Sequence, residues 1–201
     1  MREHNDYSIY GSEFINLISS IIGCKMKNEF EKHQLFDNYT FGELLKILKR
    51  YKKKNLVINP KKGYYFFKDY SPDSYELAGK LYYPSYISME TVLSQNGIIP
   101  EIIYSIISVT PKPTRSFICQ GKEYRYQKIK QTAFGGYFKK ENYLIAEVEK
   151  AVADYLYFVA LGQKEINSRL NLKKIKKEKL VDYAKMFNNQ KLLNLVKKYA
   201  Q

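Results

Sequence analysis

The chain reads as an α+β protein in two parts. Three helices and a hairpin occupy residues 1–70, and a mixed α/β part with β-hairpins and terminal helices occupies residues 71–201. Three observations predict this. Apolar residues recur at helical spacing twice before residue 50, two β-rich runs flank a Pro/Lys/Gly turn near residue 60, and the remainder alternates β-branched runs with amphipathic stretches. With 201 residues, 45% of them hydrophobic, there is enough apolar surface for one large core or two small ones.

Phe14, Leu17, Ile18 and Ile21 fall at i, i+3, i+4, i+7, with Ser12 placed to cap that helix and Gly23 to stop it. A second short helix is expected over residues 28–36, ending before Asp37 and Asn38. A third follows Thr40, with Phe41, Leu44, Leu45 and Leu48 as its apolar stripe. Leu56, Val57 and Ile58 then lead into the turn-forming residues 59–63, and Tyr64, Tyr65, Phe66 and Phe67 return, which reads as a hairpin. Three helices and a hairpin are the element order of a winged helix-turn-helix.

In the second part, Ser71 is placed as an N-cap with Pro72 at the first helical position. Ser88 caps a further helix that Asn96 and Gly97 end in a left-handed turn. Residues 102–110 are apolar and β-branched until Pro111 and Pro113 end them. Residues 117–129 read as a hairpin about Gly121 and Lys122, and residues 137–145 as further strand. A strong helix follows with Val148, Ala151, Val152, Tyr155 and Val159 on one face. Two helices close the chain, one lined by Leu180, Tyr183, Ala184 and Phe187, the other by Leu192, Leu195, Val196 and Tyr199.

The formal net charge is +14, which points to an anionic partner: nucleic acid, an acidic protein or a membrane surface. The cations are nearly all lysine beside many Tyr, Ile and Asn, so an A/T-rich coding sequence accounts for part of the surplus. Position therefore carries more information than sum. Opposite the third helix's apolar stripe, Lys46, Lys49, Arg50 and Lys53 recur at i, i+3, i+4, i+7, so one face packs while the other presents four cations to a groove. No acid occurs over residues 44–68, whereas exposed helices ordinarily intersperse both signs. Lys61 and Lys62 fall at the hairpin tip, where a wing meets phosphates. The plain alternative is a solvated lysine face. Arg115, Lys122, Arg125, Lys128 and Lys130 mark a second basic zone, interleaved with Tyr124 and Tyr126, which either stack on bases or pack across strands. Lysines over residues 173–179 form a third cluster, expected to serve solubility.

Little in the chain suits nucleophilic or metal chemistry, and no cofactor is expected. His4 and His33 are the only histidines, and no HExxH, P-loop or Gly-x-Ser-x-Gly pattern occurs. Gly135-Gly136 lacks the Lys-Ser/Thr of a phosphate loop and reads as a bend. The weighed enzymatic alternative is a metal-dependent nuclease using Glu141, Glu147, Glu149 and Lys150, although Glu147 and Glu149 fall where helix-start carboxylates are ordinary dipole partners. Cys24 and Cys119, the only cysteines, read as reduced thiols. No apolar run approaches the length of a membrane helix and the first residues carry no secretory apolar core, so a cytoplasmic location is expected.

Three phrases, in order, carry a resemblance to a known family. The first runs Tyr83-Pro84-Ser85-Tyr86-Ile87-Ser88-Met89-Glu90-Thr91-Val92-Leu93 and continues through Asn96-Gly97-Ile98-Ile99-Pro100-Glu101. The second is Val109-Thr110-Pro111-Lys112-Pro113-Thr114-Arg115, then Tyr124-Arg125-Tyr126 and Phe134-Gly135-Gly136-Tyr137. The third is Ile145-Ala146-Glu147-Val148-Glu149-Lys150-Ala151-Val152-Ala153-Asp154-Tyr155-Leu156-Tyr157. Together they resemble the AbiEi family of antitoxins from type IV toxin–antitoxin systems. The resemblance implies an N-terminal winged helix that represses its own promoter by binding double-stranded DNA. It also implies a C-terminal domain that opposes a nucleotidyltransferase-like toxin without a stable complex, in phage defence. The N-terminal segment departs from the family's pattern, with an extra helix-like stretch and an atypical turn at Asp37-Asn38-Tyr39-Thr40. A basic module that binds the toxin directly is the rival reading.

Overall fold

The computed structural model of the protein describes residues 41–62, 64–68 and 72–199. The helices expected over residues 14–21 and 28–36 lie outside the described residues, as does Ser71. Contacts divide the chain into two units, Met1–Pro72 and Asp73–Gln201.

In the first unit, α1 (Phe41–Lys53) is followed by β1 (Val57–Lys61) and β2 (Tyr64–Phe67), which pair antiparallel. Asn55 ends the helix in the left-handed region at φ 57°, where asparagine is tolerated better than most residues. The Leu56 N–H donates to the Tyr51 carbonyl and the Asn55 N–H to that of Lys52, both at 3.0 Å, closing a Schellman turn. The hairpin register breaks between Ile58 and Lys61, where Pro60 has no N–H to give to a ladder. The Asn59 amide fills in, donating to the carbonyls of Lys61 and Tyr64. Leu48, Val57, Tyr64 and Phe66 are buried, and α1 packs against β1.

The second unit is a six-stranded mixed sheet with helices on both faces. Its elements are α2 (Ser74–Leu81), β3 (Tyr86–Ile87), α3 (Met89–Gln95), β4 (Ile106–Thr110), β5 (Arg115–Cys119), β6 (Lys122–Lys128), β7 (Tyr137–Lys140), β8 (Tyr143–Ala146), α4 (Val148–Ala160), α5 (Lys177–Lys185) and α6 (Gln190–Tyr199). A short 3-10 turn, Gln131–Ala133, precedes β7. The strand order is β5-β6-β4-β3-β8-β7, with β4–β6 and β3–β8 parallel and the other pairs antiparallel. Ile87, Ser108, Tyr126 and Ile145 share one face by register, and α2 covers it: the Tyr126 hydroxyl donates to the Ala78 carbonyl at 2.6 Å. Tyr86 and Val109 lie on the other face, towards α4.

Several expectations need correcting. The N-cap of α2 is Asp73, whose carboxylate accepts the N–H groups of Tyr75 and Glu76 at 2.9 and 3.0 Å, so Pro72 lies before the cap. Strand β4 begins only at Ile106. Upstream, Ser94 and Thr91 of α3 hydrogen-bond the carbonyls of Glu101 and Ser105, and Thr91 also accepts the Ile107 N–H at 2.8 Å. These bonds hold residues 101–105 away from the ladder, leaving Ile102 and Tyr104 exposed. The β5–β6 turn is centred on Gln120 and Gly121, both at positive φ as a type I′ turn requires, so Lys122 is already strand. Finally, α4 is buried nearly all round between the sheet, α3 and the terminal helices, and not along one stripe: Lys150 through Phe158 are all buried, whereas Val148 and Val159 are only half-buried.

Candidate nucleic-acid interface

On α1, Lys46, Lys49, Arg50 and Lys53 are exposed, and Leu48 on the opposite side is 3% exposed. The remaining members of the expected stripe, Phe41, Leu44 and Leu45, have side chains outside the description. Seven residues separate Lys46 from Lys53, a rise of about 10 Å along the axis. Successive phosphates of one DNA strand advance about 3.4 Å along the duplex axis, so the row spans about three of them. Arg50, Lys52 and Lys53 lie in the last turn, where the helix dipole favours cations on its own account. Part of this positive charge is thus already compensated by the helix carbonyls.

At the hairpin the two expected lysines differ. Lys62 is exposed in the turn, while Lys61 is half-buried as the last residue of β1, opposite Tyr64. Lys52 reaches from α1 to the Asn59 side-chain oxygen at 3.3 Å, which ties the helix's C-terminal turn to the hairpin. The acid-free stretch therefore folds into one helix–hairpin unit carrying exposed cations on both elements.

The second basic zone is not one surface. By the β5–β6 register, Arg115, Lys122 and Lys128 share the face of Tyr124 and Tyr126, and Arg125 lies on the opposite face beside Ser116. Arg115 sits over the Tyr82 ring at 5.7 Å, and Lys122 donates to the Ser74 hydroxyl at 2.9 Å. Arg125 pairs with Glu123 at 2.7 Å, which raises its pKa and lowers that of the carboxylate. Lys128 is exposed. Tyr124 and Tyr126 are buried at 2% and 0%, so they pack across strands and offer no face to a base.

Glu141, Glu147, Glu149 and Lys150 do not converge. Glu141 is exposed at the β7–β8 turn, Glu147 is ion-paired with Lys179, and Glu149 accepts the Lys176 N–H at 3.3 Å. Hydrogen bonding to Lys179, with a further bond to Tyr183, holds the Glu147 carboxyl below its usual pKa. Among the described residues no group of three or more His, Cys, Asp or Glu is placed to hold a metal ion. A cleft of about 470 Å³ beside α3 and α4 includes Glu90 and Glu101, ion-paired with Lys164 and Arg169.

Lys150 points inward, a placement the sequence reading missed. It is fully buried, ion-paired with the equally buried Asp154 one turn on, and packed over the rings of Phe187 and Tyr86 at 4.5 and 5.7 Å. The other Asp154 oxygen accepts the hydroxyls of Ser88 at 2.7 Å and Tyr86 at 3.1 Å. Burial pushes the Asp154 carboxyl up and the Lys150 ammonium down, and their mutual attraction opposes both shifts. The Lys150 nitrogen, both Asp154 oxygens and the Ser88 and Tyr86 hydroxyls each have a hydrogen-bond partner within the protein, which makes the cluster a fastener for β3, α3 and α4. The available signal was an i, i+4 pair of opposite charges inside an otherwise apolar helix.

The sequence matches no family model, and the search for similar curated proteins finds none. The likeness to AbiEi antitoxins thus rests on the three phrases alone. They fall on the β3–α3 region, on β4 through the start of β7, and on β8–α4 of the second unit.

Proposed function

We propose that the chain is a double-stranded-DNA-binding transcriptional autorepressor, and the antitoxin partner of a nucleotidyltransferase-like toxin in a type IV system. The observation that carries the DNA-binding half is the exposed row Lys46, Lys49, Arg50 and Lys53 on α1, joined to a hairpin whose turn carries Lys62, with no acid over residues 44–68. In this reading α1 is the recognition helix of a winged helix-turn-helix and the hairpin is its wing. The antitoxin half is supported by the three phrases alone, and a cytoplasmic location belongs to the same reading.

The test is binding of the purified chain to its own upstream promoter fragment and to a scrambled duplex across a salt series. Tighter promoter binding that weakens with salt is expected. Loss of Lys49 and Arg50 together should cost about 1–3 kcal/mol on the promoter if they read bases. A uniform loss on both duplexes with a shallower salt slope assigns them to phosphates instead. Equal, salt-independent affinity for the two duplexes refutes the reading.

The rival, a basic module that docks on an acidic protein, has one observation in its favour. Residues 73–201 hold 21 Lys and Arg against 12 Asp and Glu, a surplus of nine charges that the helix–hairpin unit does not supply. Stable co-elution with the toxin would favour it.

A further inference from the structure

We propose that the second unit associates with a second copy of the chain through the edge of β5, so that a single sheet runs through both copies. The DNA-binding reading is not involved, since every residue concerned lies between positions 82 and 140.

The strand order leaves two edges, β5 and β7. An edge presents unpaired N–H and C=O groups, and proteins guard such edges with lysines or a covering element. β7 is guarded: Lys139 and Lys140 make up half of its four residues, and both are exposed. β5 is not. Its five residues, Arg115–Cys119, include neither lysine nor proline. Ser116 and Ile118 are exposed, Ile118 at 75%.

The hairpin fixes which backbone groups of β5 point outward. Gln120 and Gly121 make a two-residue turn, so the flanking pair Cys119–Lys122 exchanges hydrogen bonds. Every second pair does the same, namely Phe117–Tyr124 and Arg115–Tyr126. Ser116 and Ile118, between them, aim their N–H and C=O away from β6. No other described element meets these groups. The chemistry that satisfies a row of alternating backbone donors and acceptors is another strand.

Self-complementarity selects a second β5 as that strand. An antiparallel two-fold about Phe117 sets Ser116 opposite Ile118 of the second copy, and each such pair exchanges two hydrogen bonds. The whole strand is then used, with Arg115 opposite Cys119 of the second copy and the two Phe117 rings meeting on the axis. Phe117 already packs with Tyr82 and Tyr126, at ring separations of 6.1 and 5.8 Å, so this aromatic cluster becomes continuous across the axis. No like charges face each other: Arg115 sits over the Tyr82 ring, and Arg125 on β6 is paired with Glu123. β7 paired with itself would instead crowd the lysines of both copies onto one short seam, which is destabilising. A strand edge alone is a small interface, so the association belongs to the weak class, with a Kd on the order of micromolar.

The experiment is analytical sedimentation of the full chain, without DNA, over a wide range of concentration. A reversible equilibrium is expected between the 23.7 kDa chain and a species of twice that mass. Ile118→Lys gives β5 the guard that β7 already has and should leave the chain monomeric. Phe138→Lys, the same change at an exposed residue of β7, should leave the equilibrium unchanged. The register is read by oxidative cross-linking on a Cys24→Ser background. Directly opposite residues of a hydrogen-bonded pair lie about 5.5 Å apart between Cα atoms, within the span of a disulfide. Ser116→Cys mixed with Ile118→Cys should therefore form a covalent dimer, and neither variant alone should. A monomer at every concentration overturns the proposal, as does a dimer that survives Ile118→Lys or cross-linking of either single variant as readily as of the mixture.

Discussion

The buried pair of Lys150 and Asp154 makes a quantitative demand on stability. Lys150→Met leaves the Asp154 carboxylate at zero exposure with only the Ser88 and Tyr86 hydroxyls for partners. Breaking a buried pair from one side costs about 3–5 kcal/mol, because the surviving charge is stranded out of water. Asp154→Asn strands the ammonium between Phe187 and Tyr86 at a comparable cost, while its amide oxygen still serves a hydroxyl donor. The double variant buries no charge. It should therefore be more stable than the sum of the two losses implies, by about 2–3 kcal/mol, the upper range for residues in contact. Each single variant should lower the melting temperature of the second unit by about 6–20 °C. The assay is urea and thermal unfolding of the full chain, read by far-UV circular dichroism and by amide exchange along α4. Additivity of the single effects within about 0.5 kcal/mol would refute the view that Lys150 and Asp154 stabilise each other.

Two further outcomes follow from the same region. Gly136 lies at φ 71°, and a Cβ there would come within 2.6 Å of the Tyr183 ring and 2.9 Å of Lys150 Cγ. Gly136→Ala should therefore destabilise by about 1–3 kcal/mol from the backbone alone and more from the clash, and an unchanged thermal midpoint would show that the contact is loose. Glu147 has a folded-state pKa below its ordinary 4.5, so it contributes stability above that value which is lost as pH falls through the depressed one. Glu147→Gln lacks this contribution. Urea midpoints of the two proteins should differ at pH 7 and converge in acid, and parallel curves would exclude the Lys179 pairing as a source of pH dependence.

Local chemistry was legible in the sequence, and long-range pairing was not. Gly97 stopping α3 and the turn between β5 and β6 follow from backbone preferences that act within a few residues. The extent of β4 was misread because its start is set by Thr91 and Ser94, side chains on another element that capture the preceding carbonyls. The burial of α4 on nearly all sides was hidden for the same reason: periodicity reports one apolar face and cannot count the layers packed around a helix. Charge was read well where it stays exposed, as on α1. It was misread at Lys150, whose partner is adjacent on the helix but whose burial is decided by Phe187 and Tyr86.

The shortest strand has a kinetic meaning. β3 is two residues long, yet it alone joins β5-β6-β4 to β8-β7, pairing antiparallel with β4 and parallel with β8 at Ile87 and Ile145. The β5–β6 and β7–β8 hairpins can form from neighbouring residues, but this seam must bring together positions 87 and 145. Pairings of that separation form late, after their loop-closure entropy has been met. The two parts of the sheet should therefore assemble separately and lock last. A nascent chain released before β8 has emerged would hold an open sheet edge at β3.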